Sequence, residues 1–470
     1  MTQTIKTDIC VIGAGSGGLS VAAGAVQMGA KVVLLEGGKM GGDCLNYGCV
    51  PSKALIAAAT QAHAMTSGAA LGVAPVAPDV DYAAAMDHVR RAIETIAPVD
   101  SQERFEGLGV RVIREWGRFI SDREVQAGPY VIRARRFVVA TGSAPLVPPI
   151  PGLDMVPYLT NETLFDLRER PDHLLCIGGG PIGIEMAQAH RRLGCEVTVI
   201  EGDKALGRDD PEAAALVLGK LRDEGVRIVE GAQAEKVTGG DGITVETGQG
   251  AFTGSHLLVA VGRKVNTDGL DLNKAGVKTD RGVVVGDELR SSNRRIYAVG
   301  DAAGRQQFTH VAGYHAGVVV RALALGLPAR AKDAHLPRAT YTDPELAQVG
   351  LTEAEARTEY GGRLEVVRAE YAENDRAIAT GRTTGFVKVM VVGGRPVGAT
   401  IVGAEAGDLA ATWSLVIANK LKMSAVSAMV APYPTLAELN KRAAGAYFSP
   451  RLFDNPTVKR VVGLVQRLLP

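Results

Sequence analysis

The chain has 470 residues with 52 Lys and Arg against 51 Asp and Glu, a net charge of +1, and is 46% hydrophobic and 22% charged. At about 100–200 residues per domain that length means several domains; the composition excludes a largely disordered chain, and the balanced charge gives no field to hold nucleic acid. Five cysteines exclude a secreted disulfide scaffold, no uncharged apolar stretch reaches the roughly 18 residues of a bilayer span, and residues 1–8 show no leader pattern, so a cytoplasmic protein is expected.

Glycine is in excess, at 57 residues of 470 or about 12% against a usual value near 7%; with no collagen period, the surplus belongs to particular loops. The first is Gly13-Ala14-Gly15-Ser16-Gly17-Gly18, between an apolar strand at 8–12 and a small-residue helix, followed by a second strand at 31–35 ending at Glu36. The pattern recurs at 174–201: a strand, Gly178-Gly179-Gly180-Pro181-Ile182-Gly183, a helix to Leu193, and a strand ending at Glu201. In such units the glycines permit a tight turn, close approach of a pyrophosphate and close helix packing, while the acid accepts ribose hydroxyls. A plain strand-to-helix turn is the alternative for either copy alone; two copies, each with its acid, favour two dinucleotides. A carboxylate at Glu201 suits the free ribose of NAD(H) and repels the extra phosphate of NADP(H), although Lys204 and Arg208 follow closely.

Between the first unit and a helical stretch, Cys44 and Cys49 are separated by Leu-Asn-Tyr-Gly. On a continuous helix, residues five apart are turned by roughly 140° and lie about 7.5 Å apart along the axis, too far for the α-carbon spacing of a disulfide. A bond between them needs a local distortion, which Gly48 permits. A redox pair, two reduced structural thiols and metal ligation all stay open on spacing alone; Cys10, Cys176 and Cys195 lie in strands and read as buried. Short strands ending in glycine follow at 137–142, 257–262 and 295–300. Beyond Pro337, antiparallel strands at 364–369, 385–391 and 396–402 and helices at 352–357 and 408–421 indicate a separate α+β domain. The expected fold is α/β, with two doubly wound nucleotide-binding domains and a C-terminal α+β dimerisation domain, divided at 1–150, 151–265, 266–336 and 337–470.

Residues 41–53, Gly-Gly-Asp-Cys-Leu-Asn-Tyr-Gly-Cys-Val-Pro-Ser-Lys, with Ala140-Thr141-Gly142-Ser143, Val261-Gly262-Arg263, Ala298-Val299-Gly300-Asp301 and Tyr341-Thr342-Asp343-Pro344-Glu345, resemble the class I flavoprotein disulfide reductases, which include dihydrolipoamide dehydrogenase, glutathione reductase and mercuric reductase. The resemblance covers nearly the whole chain. It implies a homodimer that binds FAD through Gly13, Gly15, Gly18, Glu36, Gly117, Thr141, Gly142, Asp301 and Thr309, with Lys53 near the flavin and paired to Glu185. It implies NAD(H) on Gly178, Gly180, Gly183, Glu201 and Gly262, Cys49 as the flavin-side sulfur and Cys44 as the exchanging thiol.

One motif departs from the family. The disulfide-reducing members carry His-Pro-Thr-x-x-Glu near the C-terminus as an acid/base reaching across the subunit interface. Here Ala431-Pro432-Tyr433-Pro434-Thr435-Leu436-Ala437-Glu438 places a tyrosine there. A phenol with pKa near 10 is a poor neutral-pH base, and all eight histidines precede the last domain. Tyrosine at this place is similar to mercuric reductases, but the chain as read has no cysteine after Cys195 and no N-terminal metal-binding domain. Tyr433 reads equally as packing or as a functional phenol. The expected reaction runs from NADH through FAD and the Cys44/Cys49 pair, with Tyr433 and Glu438 completing the partner's site, to a thiol-bound soft metal ion or an unusual disulfide. Dihydrolipoamide dehydrogenase with a replaced base and a redox-sensing relay of low turnover are the alternatives. The tail at 455–469 is a basic amphipathic helix expected to dock on its own protein, with weak membrane-surface contact as the other reading.

Overall fold

The computed structural model describes residues 3–469, which divide into two compact units. One holds the chain through Ala64 with Pro78–Gly202 and Ala232–Lys332; the other holds Met65–Ala77, Asp203–Gly231 and the chain from Asp333 onward.

In the first unit, strand Gln3–Ile12 sits between the parallel strands Val32–Leu35 and Tyr130–Val139; Arg111–Ile113 and Ile296–Ala298 extend the parallel part, and Glu124–Ala127 and Gly117–Ser121 add an antiparallel edge. The central strand segments are near-continuous apolar runs because both faces are covered, one by helices Ser16–Gln27 and Thr309–Leu325 and the other by Phe119, Val125 and the segment from Leu270 to Val283. Ile9–Ile12 and Phe137–Val139 are accordingly buried. A second parallel sheet pairs His173–Ile177 with Glu196–Ile200 and His256–Val259, and Tyr158–Leu159 joins its edge. The two glycine loops thus leave the carboxyl ends of Gln3–Ile12 and His173–Ile177, where doubly wound sheets present ligand sites.

The second unit contains a five-stranded antiparallel sheet in the order Pro337–Thr340, Glu345–Gly350, Arg395–Gly403, Phe386–Val392, Leu364–Glu370. Helix Ala406–Ala418, expected at 408–421, seals one face with Trp413, whose indole N–H donates to Asn440 Oδ1 at 2.7 Å. Lys388 is buried on the sheet, with Nζ 2.8 Å from Asp210, 3.1 Å from Glu212 and 3.1 Å from Glu353. Asp210 also caps helix Pro211–Asp223, so one buried cation ties that helix to the sheet.

The tail forms the expected helix, Pro456–Leu468, capped by Asn455. The expectation that it docks on its own protein is not met within this chain, because none of its residues is buried. It begins beyond Tyr447, the last buried residue of the unit's apolar core. No helix among the described residues is long and apolar enough to cross a membrane.

Candidate active site

The two glycine loops have the same construction. Gly13 at φ +105° and Gly178 at φ +108° lie so near the next strand that an added Cβ would sit 2.4 Å from Ala140 O and 2.5 Å from Ala260 O. At Gly18 and Gly183 a Cβ would lie 1.9 Å from Gly13 O and 2.1 Å from Gly178 O, so helix and strand touch only because no side chain intervenes. Gly15 and Gly180 face open space instead, with the nearest atom to a Cβ at 3.9 Å for the first and none within 4 Å for the second. Each is the N-cap of a helix, Ser16–Gln27 and Pro181–Arg192, that receives no side-chain cap. The first-turn N–H groups therefore remain for an anion, and the geometry fits a dinucleotide pyrophosphate in both places.

Both acids are anchored at the loop. Glu36 accepts from Ala14 N–H at 2.7 Å and from Gly38 N–H at 2.6 Å; Glu201 accepts from Gly179 N–H at 2.6 Å. A cavity of about 580 Å³ opens on the first loop, lined by Gly13, Gly15, Glu36, Gly117, Thr141 and Gly142 among others. Gly142 and Gly262 have φ of +66° and +140°, with nothing within 4 Å of an added Cβ. Asn266 holds the turn by accepting Thr141 Oγ1–H at 2.6 Å on its carbonyl and donating its amide back to Thr141 O at 3.0 Å.

The cysteines approach because the helix breaks between them. Cys44 lies on the short helix Gly42–Asn46 and Cys49 opens helix Cys49–Thr66, with Tyr47 and Gly48 as the joint. A Cβ at Gly48 would lie 2.8 Å from Asp43 Oδ2 and 3.3 Å from Cys44 Cα, so the distortion expected at this residue is a close approach that only glycine allows. Gly41 and Gly42, at φ +84° and +61°, then fold the segment onto the phosphate loop: Gly41 N–H donates to Ala14 O at 2.9 Å, and a Cβ on Gly42 would be 2.7 Å from Gly15 Cα. Thiol pair and first loop share a wall.

The pair is electrically asymmetric. Both cysteines are free and their thiols are hydrogen-bonded to each other. The bond from Cys44 brings the Cys49 thiol down to about 6 against partial desolvation; Thr309 Oγ1, 3.3 Å from the sulfur, and the Lys53 charge add to the lowering, while Asp43 opposes it. Cys44 is pushed up by the same bond and by burial. Lys53 stands one turn after Cys49 on its helix and pairs with Glu185 at 2.7 Å. This brings Cys44, Cys49, Lys53, Glu185 and Thr309 together.

A network that no spacing announces lies beside them. Arg263 donates to Ser143 Oγ and O, each at 2.7 Å, and pairs with Asp43 at 3.1 Å; Ser143 Oγ donates to Asp301 at 2.5 Å. Burial pushes the Asp301 carboxyl up, while Ser143 and Arg263 moderate it. Asn161 donates to Asp43 at 3.0 Å and to Tyr47 O at 3.2 Å. Ser143 and Arg263 stand within motifs already noted, and only that membership marks them in the sequence.

Tyr433 and Glu438 belong to the second unit. Tyr433 is exposed, and its hydroxyl donates to the Asp375 carboxylate, which raises the phenol above its ordinary value. Glu438 Oε2 is buried without a hydrogen-bond partner among the described residues.

Comparison with known proteins agrees with this construction. Residues 7–316 match the model of the pyridine nucleotide-disulphide oxidoreductase family, and 336–444 match its dimerisation domain. The chain belongs to that family. It is 35% identical to a mercuric reductase of Streptomyces lividans over 458 residues, covering 94% of this chain and 96% of the relative. The crystal structure of LpdA from Mycobacterium tuberculosis superposes with a TM-score of 0.86 at 26% identity, covering 93% of this chain and 99% of that one. The Cu(II) complex of RclA, an HOCl-induced flavoprotein disulfide reductase of Escherichia coli, does so with a TM-score of 0.82 at 27% identity, covering 93% and 99%. The protein is therefore an FAD-dependent oxidoreductase of the disulfide reductase type, the family uses FAD and NAD(P)H, and the dimerisation domain supports a homodimer.

Proposed function

We propose that the enzyme oxidises NADH at the second glycine loop and uses FAD on the first loop, with the Cys44/Cys49 pair, to reduce a soft metal ion held by thiolates. Bound FAD supplies the two-electron relay between nicotinamide and sulfur. On the chain's side, Gly180 and the uncapped helix N-terminus receive the NADH pyrophosphate, and Glu201 selects the free ribose over a phosphorylated one. The hydrogen bond from Cys44, with help from Thr309 and Lys53, keeps Cys49 as thiolate above about pH 6, the form that binds a soft metal. One NADH opens the disulfide with release of NAD⁺. Each further NADH gives two electrons to the bound metal, reducing one two-electron or two one-electron acceptors, and a proton is released. The metal leaves and both sulfurs remain reduced, Cys49 as thiolate.

The observation that carries the choice of acceptor is Tyr433. A disulfide acceptor needs a proton donor and base of matched pKa at its leaving thiol, and a phenol held high by Asp375 is neither. A metal acceptor has no such leaving group. The mercuric reductase relative and the Cu(II) complex of RclA favour the same reading. Tyr433 and Glu438 of domain 337–470 are proposed to reach the partner subunit's thiols, with Tyr433 as hydrogen-bond donor.

Steady-state NADH oxidation with Hg(II) or Cu(II) in excess thiol should exceed that with lipoamide or glutathione disulfide by about a hundredfold or more, the usual contribution of a general acid–base group. Lipoamide turnover equal to metal turnover would overturn the reading. In the same assay Tyr433→His should raise disulfide turnover.

A further inference from the structure

The cavity on the first loop carries a residue that its glycine signature does not require. Trp116 is one of two tryptophans in the chain. Trp413 is fully buried, whereas Trp116 is 76% exposed. A large indole left in solvent forgoes most of the apolar burial that favours tryptophan in a fold, so it needs another reason to be there.

Its position is nevertheless held. The ring lies against Gly37, where an added Cβ would come 2.2 to 2.6 Å from Cδ2, Cε2 and Cγ, so any larger residue there would displace the indole. Two residues earlier, Arg114 donates to Glu36 O at 3.2 Å and to Gly38 O, clamping the loop that the indole covers. The next residue, Gly117, is drawn onto Leu35, with a Cβ there only 2.7 Å from Leu35 Cδ1, which leaves the indole projecting along the cavity it lines with Glu36 and Gly37. Asp43 and Tyr47 line the same cavity next to the cysteines, on the side where the redox chemistry belongs. The Glu36 side is that of the adenosine half, because the acid ending the second strand takes the ribose nearest the adenine.

We propose that Trp116 is the surface on which the FAD adenine stacks, and that it makes the first loop's cofactor resident. This rests on FAD occupying the first loop, as proposed above. The second loop provides the contrast: Gly202, which follows Glu201 as Gly37 follows Glu36, is covered by the side-chain amide of Gln233, 2.5 Å from a Cβ placed there. An amide offers far less stacking surface than an indole, which suits a nucleotide that must leave at every turnover.

The test compares FAD and FMN release from holoenzyme, read as the rise of flavin fluorescence after dilution, for wild type, Trp116→Ala and Trp116→Phe. Stacking of one base on one aromatic ring is worth roughly a factor of ten, so Trp116→Ala should release FAD about tenfold faster, with Trp116→Phe close to wild type. FMN, which has no adenine, should leave all three refilled proteins at one rate, and this separates stacking from a general loosening of the site. Wild-type tryptophan emission should also be quenched more strongly by FAD filling than by FMN filling, and that difference should vanish in Trp116→Phe, which keeps only the buried Trp413. Equal FAD release from all three proteins, or an equal acceleration for FMN, would overturn the proposal while leaving FAD on the first loop; protein purified without flavin would overturn both.

Discussion

The two glycine loops are near copies in backbone yet differ in what surrounds them. The first is walled by Gly41 and Gly42 of the thiol segment and by an exposed indole, and a cavity of about 580 Å³ lies between. The second has open space at Gly180 and a glutamine amide over Gly202. The glycines of each loop fit a pyrophosphate, and the proposal is that the neighbouring segments decide whether the nucleotide stays or exchanges. On the proposed assignment, one motif used twice supports one resident cofactor and one travelling substrate.

The largest expected effect breaks the symmetry by the same change in each loop. In Gly18→Val a side chain meets Gly13 O, and purified protein should lose FAD and with it all turnover; in Gly183→Val the clash is with Gly178 O, FAD should stay, and NADH reduction of the flavin should fall by orders of magnitude. Absorbance of the purified variants and stopped-flow reduction separate the two. If both variants lose FAD alike, the loops are not assigned as stated.

Removing the thiol that shares the first loop's wall comes next. Cys49→Ser should retain FAD and its reduction by NADH but lose metal-dependent turnover by about a thousandfold or more, measured as NADH oxidation with excess Hg(II), since the nucleophilic thiolate is gone. Retained metal turnover would show that the pair is structural.

At the second loop the effect is smaller. Glu201→Gln removes the charge that repels a ribose phosphate and should narrow the preference for NADH over NADPH by about tenfold in kcat/KM, the worth of roughly 1.4 kcal/mol. An unchanged ratio would place the discrimination elsewhere.

The smallest expected change is a shift in pH. The Cys49 thiol is lowered from its ordinary value to about 6, so the thiolate is present above that pH and is lost as pH falls through it. Thr309→Val deletes a donor to the charged form; thiol alkylation rates followed against pH should then show the midpoint rise by about one unit. A midpoint that falls or stays would exclude the hydroxyl from that role.

How much of this was legible in the sequence follows from where each signal resides. Both loops, their acids and the break at Gly48 are local, so spacing alone points to Gly13, Gly18, Gly178 and Gly183 and to a distortion between Cys44 and Cys49, while the redox role of that pair comes with the family resemblance. The Lys53–Glu185 pair spans 132 residues and came only through the family resemblance. Asp43, Ser143, Arg263 and Asn161 meet through tertiary folding, and no period or spacing in one sequence encodes their bonds. Trp116 carries no periodicity or motif signal in the sequence, and only its exposure and its contact with Gly37 mark it. The stripe alone predicts the tail helix, and the structure adds its Asn455 cap, but a stripe does not say what covers it.

The most direct test of the central claim, that an acidic Cys49 thiolate lies against the flavin on the first loop, is an anaerobic NADH titration of the holoenzyme followed by absorbance from pH 5 to 8. A long-wavelength thiolate-to-flavin band should grow in with a midpoint near pH 6 and be absent in Cys49→Ser. Two-electron reduction with no such band at any pH, or the same band in Cys49→Ser, would contradict the account.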